Sequence, residues 1–219
     1  LPEAAKSPAF ASAVGLLGIQ VAKALGAAVV VATTTSADKK SALIDAGADV
    51  TIDTTIEDLV ESVLGATDGA GVDVVLDHVG GELFRSLPAA TAIGGRIVTI
   101  GRLGGSATSI DLDTIAFRRQ RLIGTTFSIR TRTELGDVVA ALADRVLPAV
   151  ASGAIAPRLD SVHAVEDADE AASLLLANTA VGKVVLSFAD AHADRTPTPE
   201  PIANFFGSIR QIGYVVEDI

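Results

Sequence analysis

The chain of 219 residues contains no cysteine and no methionine. Without cysteine there can be no disulfide, thiolate nucleophile or cysteine-ligated zinc, and nothing in the sequence signals an oxidising compartment. A cytoplasmic protein is the expectation. Starting at Leu1 with no methionine anywhere fits either a fragment or a gene product with an unusual start, and a truncated chain is one expectation. Basic charge is also scarce. With 17 Lys and Arg against 27 Asp and Glu, the formal net charge is −10. That balance offers no positive field to phosphate backbones or anionic lipid, so nucleic-acid and membrane-surface roles are excluded. The three histidines, His78, His163 and His192, are scattered. What is abundant is apolar residue, at 49%, ample for a core in a chain of this length.

The longest apolar run, Ala13 to Ala32, would suit a membrane span or a signal core by hydropathy alone. Helix, turn and buried strand explain it better, because Gln20 and Lys23 share one helical face and Gly26 is placed to stop the helix before a valine-rich strand. After it, short β-branched runs alternate with amphipathic ones, the pattern of βαβ units and a parallel sheet. The predicted strands are Val29 to Thr33, Val50 to Asp53, Val72 to Asp77, Arg96 to Gly101 and Leu122 to Phe127, and the predicted helices Ala37 to Ala46, Ile56 to Ala66 and Glu82 to Ala92. Gly47, Gly69, Gly71, Gly94 and Gly95 mark turns. These strands are apolar on both faces, which calls for helices on both sides. The fold class is α/β, a Rossmann-type parallel sheet with its first strand missing, plus a small α+β return segment. Beyond Arg130 the rhythm changes to a long helix, Glu134 to Ser152, an extended piece at Leu159 to Val165, a helix opening at Asp167 to Asp169 and a strand, Lys183 to Phe188. Ala189 to Pro201 has the composition of a linker, and Ile209 to Ile219 alternates like one strand.

In a dinucleotide fold, a glycine-rich turn leads into a helix whose N-terminal N–H groups meet the pyrophosphate. Counting back from Gly15, the three glycine positions of that turn are held by Phe10, Ser12 and Gly15. Ser12, Ala13 and Val14 are the residues placed to approach a pyrophosphate. Taken alone, this is more simply a helix cap. The wider pattern is more specific: ASAVGLLGIQVAKALGA (11–27), LIDAGAD (43–49), GAGVDVVLDHVGG (69–81), GGRIVTIG (94–101) and GKVVL (182–186), in that order. Together these segments resemble the medium-chain dehydrogenase/reductase superfamily, in its quinone-oxidoreductase-like branch, over 11–188.

The resemblance implies hydride transfer between NAD(P)H and a quinone, enone or related carbonyl compound, without zinc. At the end of the second strand, where an acidic residue would favour NAD, the chain has Thr33, Thr34, Thr35 and Ser36, with Lys39 beyond. Hydroxyls and a lysine suit the 2′-phosphate of NADP(H), although a solvated lysine at a polar helix start reads equally well. Lys183 lies where some relatives reach that phosphate. Nicotinamide and ribose contacts fall by resemblance on Val79, Gly80, Gly101, Arg102, Phe127 and Ser128. Asp77 and His78 read as a strand-end aspartate bonding local backbone beside a half-exposed histidine, and Arg118, Arg119 and Arg121 as a solvated turn. No acid or base is assigned.

Three features depart from the family. The lead-in, AAKSPAF (4–10), puts Lys6 and Pro8 where relatives have a buried strand. The preceding catalytic domain is missing, so the segment 131–188, which packs on it in relatives, is expected to expose an apolar patch and associate. The tail, 205–219, resembles the opening strand of a vicinal-oxygen-chelate (glyoxalase-like) domain, with Gln211 at a ligand position. Metal binding is not expected from so short a match. The organisation read from these segments is a lead-in (1–10), a dinucleotide-binding domain (11–130), a return segment (131–188), a linker (189–208) and a strand (209–219) that could add to a sheet edge. Relatives commonly dimerise through the strand matching Leu122 to Phe127. Two readings remain: the nucleotide-binding part of an NADPH-dependent reductase, or an inert remnant that at most binds nucleotide. A glyoxalase-like metalloenzyme is a third.

Overall fold

The computed structural model describes residues 13–177 and 179–188. Ser12, the lead-in, the linker and the C-terminal strand lie outside the described residues. The chain divides into two compact units between Pro157 and Arg158.

In the first unit, helix α1 (Ala13–Ala24) buries Leu16 and Ile19 and ends at a left-handed Gly26, as its sequence suggests. At 12 residues it is too short to cross a bilayer, and no described helix is long and apolar enough to do so. Gln20 instead donates to and accepts from the backbone of Ala156, while Lys23 pairs with Asp49 at 2.5 Å. Strand β1 (Val31–Thr34) follows, then α2 (Lys40–Asp45) entered through a single 3-10 turn, and β2 (Val50–Asp53), parallel to β1. Helix α3 (Leu59–Ala66) begins three residues later than predicted, where the Asp58 carboxylate accepts from the Glu61 N–H. Strand β3 (Val72–Asp77) has its predicted bounds.

The stretch predicted as one helix, Glu82 to Ala92, is a 3-10 turn, Leu83–Ser86, and a single α-turn, α4 (Leu87–Ala90). Pro88 at its start has no N–H to give, and Thr91 turns into a strand. That strand, β4 (Thr91–Thr99), is longer than predicted because Gly94 and Gly95 form an irregularity inside it rather than a turn before it. A Cβ on Gly95 would meet the Ala92 carbonyl at 2.9 Å. Helix α5 (Leu112–Phe117) leads to β5 (Arg121–Gly124), three residues shorter at its end than predicted. Arg118 is not simply solvated. Its guanidinium donates to the Thr91 carbonyl, which also accepts from the buried Gln120 amide.

The sheet is in two pieces. Strands β1 and β2 form one, and β3, β4 and β5 form the other in that order, all parallel within each piece. One apolar cluster nevertheless joins them: Ile52 of β2 and Ile97 of β4 meet Leu59 and Val63 of α3, Phe84, and Leu87 and Ala90 of α4, with Val31 and Val75 packed against them. Shared packing without a shared ladder means that, among the described residues, the edges of β1 and β3 facing away from their partners make no strand pairing. Helices cover this face only in part of the way predicted. The α/β fold of parallel strands flanked by helices is the one expected, and on the opposite face of the three-stranded piece Val74, Leu76 and Ile123 remain partly exposed. Ile97 is fully buried at the centre of the cluster, and Ile97→Ala is expected to cost about 2–5 kcal/mol by creating a cavity, read as a lower midpoint in urea unfolding.

The helix predicted over Glu134 to Ser152 is two: α6 (Arg132–Arg145) and α7 (Leu147–Ala151). Thr131 and Glu134 cap the first reciprocally, and Pro148 interrupts the ladder between them. Both present apolar side chains to solvent, among them Val139 and Val150.

The second unit is a βαβ element: β6 (Leu159–Ala164), α8 (Ala168–Leu176) and β7 (Lys183–Ser187), the two strands parallel. Its apolar residues Val162, Leu176 and Phe188 are also exposed.

Several carboxylates are held below their ordinary range by hydrogen bonds: Asp49 chiefly by Lys23, Glu57 chiefly by Lys40, Asp53 by the Thr55 hydroxyl and N–H, and Glu134 by Thr131. A carboxylate with a lowered folded-state pKa stabilises the fold above its unfolded value, near 4, and that contribution is lost as pH falls through the folded value. Melting temperature is therefore expected to be level from pH 7 to about 5 and to decline below about 4, the contributions of Asp49, Glu57 and Glu134 being small because solvent screens them, whereas Asp53 is buried.

Candidate functional site

Parallel strands put their C-terminal ends on one edge of a sheet, where loops and helix N-termini leave backbone groups for a ligand. At the end of β1, Thr34 is buried and its hydroxyl is committed to the chain: it accepts from the Ser36 N–H at 3.1 Å and donates to the Ser36 carbonyl. Thr33 and Ser36 are half-buried. The adjacent lysines behave differently. Lys40 pairs with Glu57, whose carboxylate also takes the Asp53 N–H. Lys39 is only 6% exposed, so the alternative of a solvated lysine does not hold.

At the end of β3 the chain folds into a clasp. The Asp77 carboxylate, 3% exposed, accepts from the Val79 N–H at 3.0 Å and the Gly80 N–H at 2.9 Å through Oδ1. The expectation of an aspartate bonding local backbone is met. Its backbone carbonyl takes two further N–H groups, from Ile100 at 2.7 Å, the last bond of the parallel ladder, and from Gly101 at 3.1 Å, and β4 stops at Thr99 rather than at the predicted Gly101. Beyond it the turn and the loop are laced together: Gly104 donates to the Val79 carbonyl, Gly81 donates to the Gly105 carbonyl, and Gly80 and Gly105 form a parallel bridge. No side chain fits between them. A Cβ on Gly101 would stand 2.2 Å from the His78 carbonyl oxygen, and one on Gly81 2.3 Å from that of Gly104. His78 is half-buried, and desolvation pulls its imidazole below the ordinary range despite the Asp77 charge beside it.

The structure thus brings Val79, Gly80, Gly101 and Arg102 together. Thr125 ties the end of β5 to the same edge, its N–H and hydroxyl both donating to the Thr99 carbonyl. Phe127 and Ser128 follow in an exposed turn in which the Arg130 guanidinium lies 5.5 Å from the Phe127 ring centroid. Ala13 and Val14 open α1, while Ser12 lies outside the described residues. Lys183 opens β7 in the second unit, exposed, its N–H bonded to Arg158. Sequence reasoning missed Gly104 and Gly105, although a glycine pair just after a strand end was the available signal.

One observation fits a polar ligand such as a dinucleotide at this edge: Asp77 Oδ2 is a buried oxygen with no hydrogen-bond partner. The glycines serve the close packing of the two turns, since the atoms an added Cβ on Gly80, Gly81 or Gly101 would meet are backbone of the facing segment. Among the described residues, no group of three or more His, Asp or Glu side chains is placed to hold a metal.

Residues 13–144 match the family model described as zinc-binding dehydrogenase, and the chain belongs to that family. Within it, the chain is a quinone-oxidoreductase-like member of the medium-chain dehydrogenase/reductase superfamily. It is similar to an NAD-dependent alcohol dehydrogenase, at 33% identity over 81% of this chain and 48% of that one, with a TM-score of 0.66. It is also similar to quinone oxidoreductases from Pseudomonas syringae (30% identity, 81% and 54% covered, TM-score 0.65) and Escherichia coli, the latter solved with NADPH (29%, 81% and 55%, 0.66). The chain spans about half the length of these structures. Among curated proteins no sequence matches it.

Proposed function

We propose that this chain is the nucleotide-binding part of an NADP(H)-dependent, zinc-independent reductase acting on a quinone, enone or related carbonyl compound. The observation that carries the reading is the clasp of Asp77, Val79–Gly81 and Gly101–Gly105, a rigid backbone surface at the C-terminal edge of a parallel sheet in a family whose E. coli relative was solved with NADPH. Lys39, whose N–H donates to the Ser36 carbonyl, together with the lack of an acidic residue among Thr33 to Ser36, supports the phosphorylated cofactor. Bound nicotinamide supplies the hydride. The residues of this chain bind and orient it: Ala13 and Val14 at the pyrophosphate, Thr33, Thr34, Ser36 and Lys39 at the 2′-phosphate, Val79, Gly80, Gly101, Arg102, Phe127 and Ser128 at the ribose and nicotinamide. The segment 131–188 is assigned to packing on a catalytic domain. The edge strand β5, with Leu122 and Ile123 exposed, supports a homodimer through that strand.

The competing reading is a binding remnant without turnover, favoured by the two-piece sheet and the uncovered face at Val74 and Leu76. An assay of NADPH oxidation with a quinone acceptor separates them. Quinone-dependent oxidation above the rate without protein is the expected result for the reductase. Saturable NADPH binding with no turnover assigns the chain to the remnant.

A further inference from the structure

Asp77 carries a charge that the clasp does not need. Holding the Val79 and Gly80 N–H groups takes only Oδ1, a task that a neutral amide or hydroxyl oxygen performs equally well. Oδ2 is buried and receives no donor, and no ion pair with Asp77 occurs among the described residues. The titratable group beside it is the half-buried His78, in which desolvation disfavours the imidazolium. A buried carboxylate that accepts no second donor leaves an uncompensated negative potential in the turn it anchors.

Resting on the assignment of that turn to the nicotinamide, we propose that Asp77 is a specificity-determining residue for the cofactor's redox state. Oxidised nicotinamide carries a positive ring charge and the reduced ring is neutral. The Asp77 charge therefore favours NADP+ over NADPH at this site, while its Oδ1 keeps the turn in the same place for both. A unit charge within about 10 Å, at an effective dielectric near 20, corresponds to about a tenfold bias. The effect acts through the field, so it does not require the ligand to touch the buried oxygen.

The test is a pair of titrations, NADP+ and NADPH, on the wild-type chain and on Asp77→Asn, which keeps the acceptor and removes the charge. NADP+ affinity is expected to fall about tenfold in the variant, with NADPH affinity changed less than about twofold. Equal losses for both forms would mean that Asp77 only holds the turn, and unchanged affinities that its charge is not felt; either overturns the inference and leaves the cofactor reading standing. Binding of neither form to the wild-type chain removes the cofactor reading and this inference with it. Should Asp77→Asn fail to fold, Asp77→Ser retains an acceptor in a smaller side chain and carries the same expectation.

Discussion

Gly101→Ala is expected to lower the melting temperature by roughly 5–10 °C, corresponding to about 2–3 kcal/mol of overpacking in a chain of this size. The added methyl would stand 2.2 Å from the His78 carbonyl oxygen and 2.9 Å from its carbonyl carbon. These are backbone atoms, so no side-chain rotation relieves the contact. They are also anchored, because the Asp77 carbonyl binds the Ile100 and Gly101 N–H groups on one side while its carboxylate binds Val79 and Gly80 on the other. Relief would have to open the clasp itself. Cofactor binding is therefore expected to weaken more than the loss of stability alone explains. Gly124→Ala is the control: it sits in the neighbouring strand with nothing within 4 Å of its added methyl, and a change within about 0.5 kcal/mol is expected. Differential scanning calorimetry of both variants checks the contrast.

Lys39→Met is expected to reduce NADPH affinity by roughly 10–100-fold and to leave NADH affinity nearly unchanged, the loss of one charge-assisted hydrogen bond to a phosphate. Methionine retains most of the apolar stem, which matters because Lys39 is buried against the start of α2. Lys40→Met is the informative comparison. Lys40 pairs with Glu57, and its removal is expected to alter stability slightly and discrimination between the two cofactors little. Isothermal titration with both cofactors reads the two effects separately. An equal loss for NADH and NADPH in Lys39→Met would place the lysine in the fold rather than at the 2′-phosphate.

Local chemistry explains which elements were legible in the sequence. Strands β2 and β3 have their predicted bounds because each is a short β-branched run closed by an aspartate that bonds the following turn. Strand β4 was misread at both ends for opposite reasons. Gly94 and Gly95 look like a turn in sequence, yet they lie within the strand, and Ile100 and Gly101 look like strand, yet their N–H groups are captured by Asp77. The break at Pro148 was present in the sequence and was outweighed by apolar periodicity on both sides of it. What no local pattern could show is contact between distant segments. That Gly104 and Gly105 would close over Val79 and Gly80, or that two sheet pieces would share one core without a ladder, depends on how strands are laid side by side. The lysine and proline of the lead-in, from which a disrupted first strand is expected, lie outside the described residues.

The central claim is that the strand ends gathered around Asp77 form a nicotinamide dinucleotide site. Backbone amide NMR of the full chain during NADPH titration tests it most directly. Saturable shifts concentrated at Val79, Gly80, Gly101, Arg102 and the Thr33 to Lys39 segment are the predicted result. An unchanged spectrum, or shifts confined to residues away from these strand ends, would contradict it.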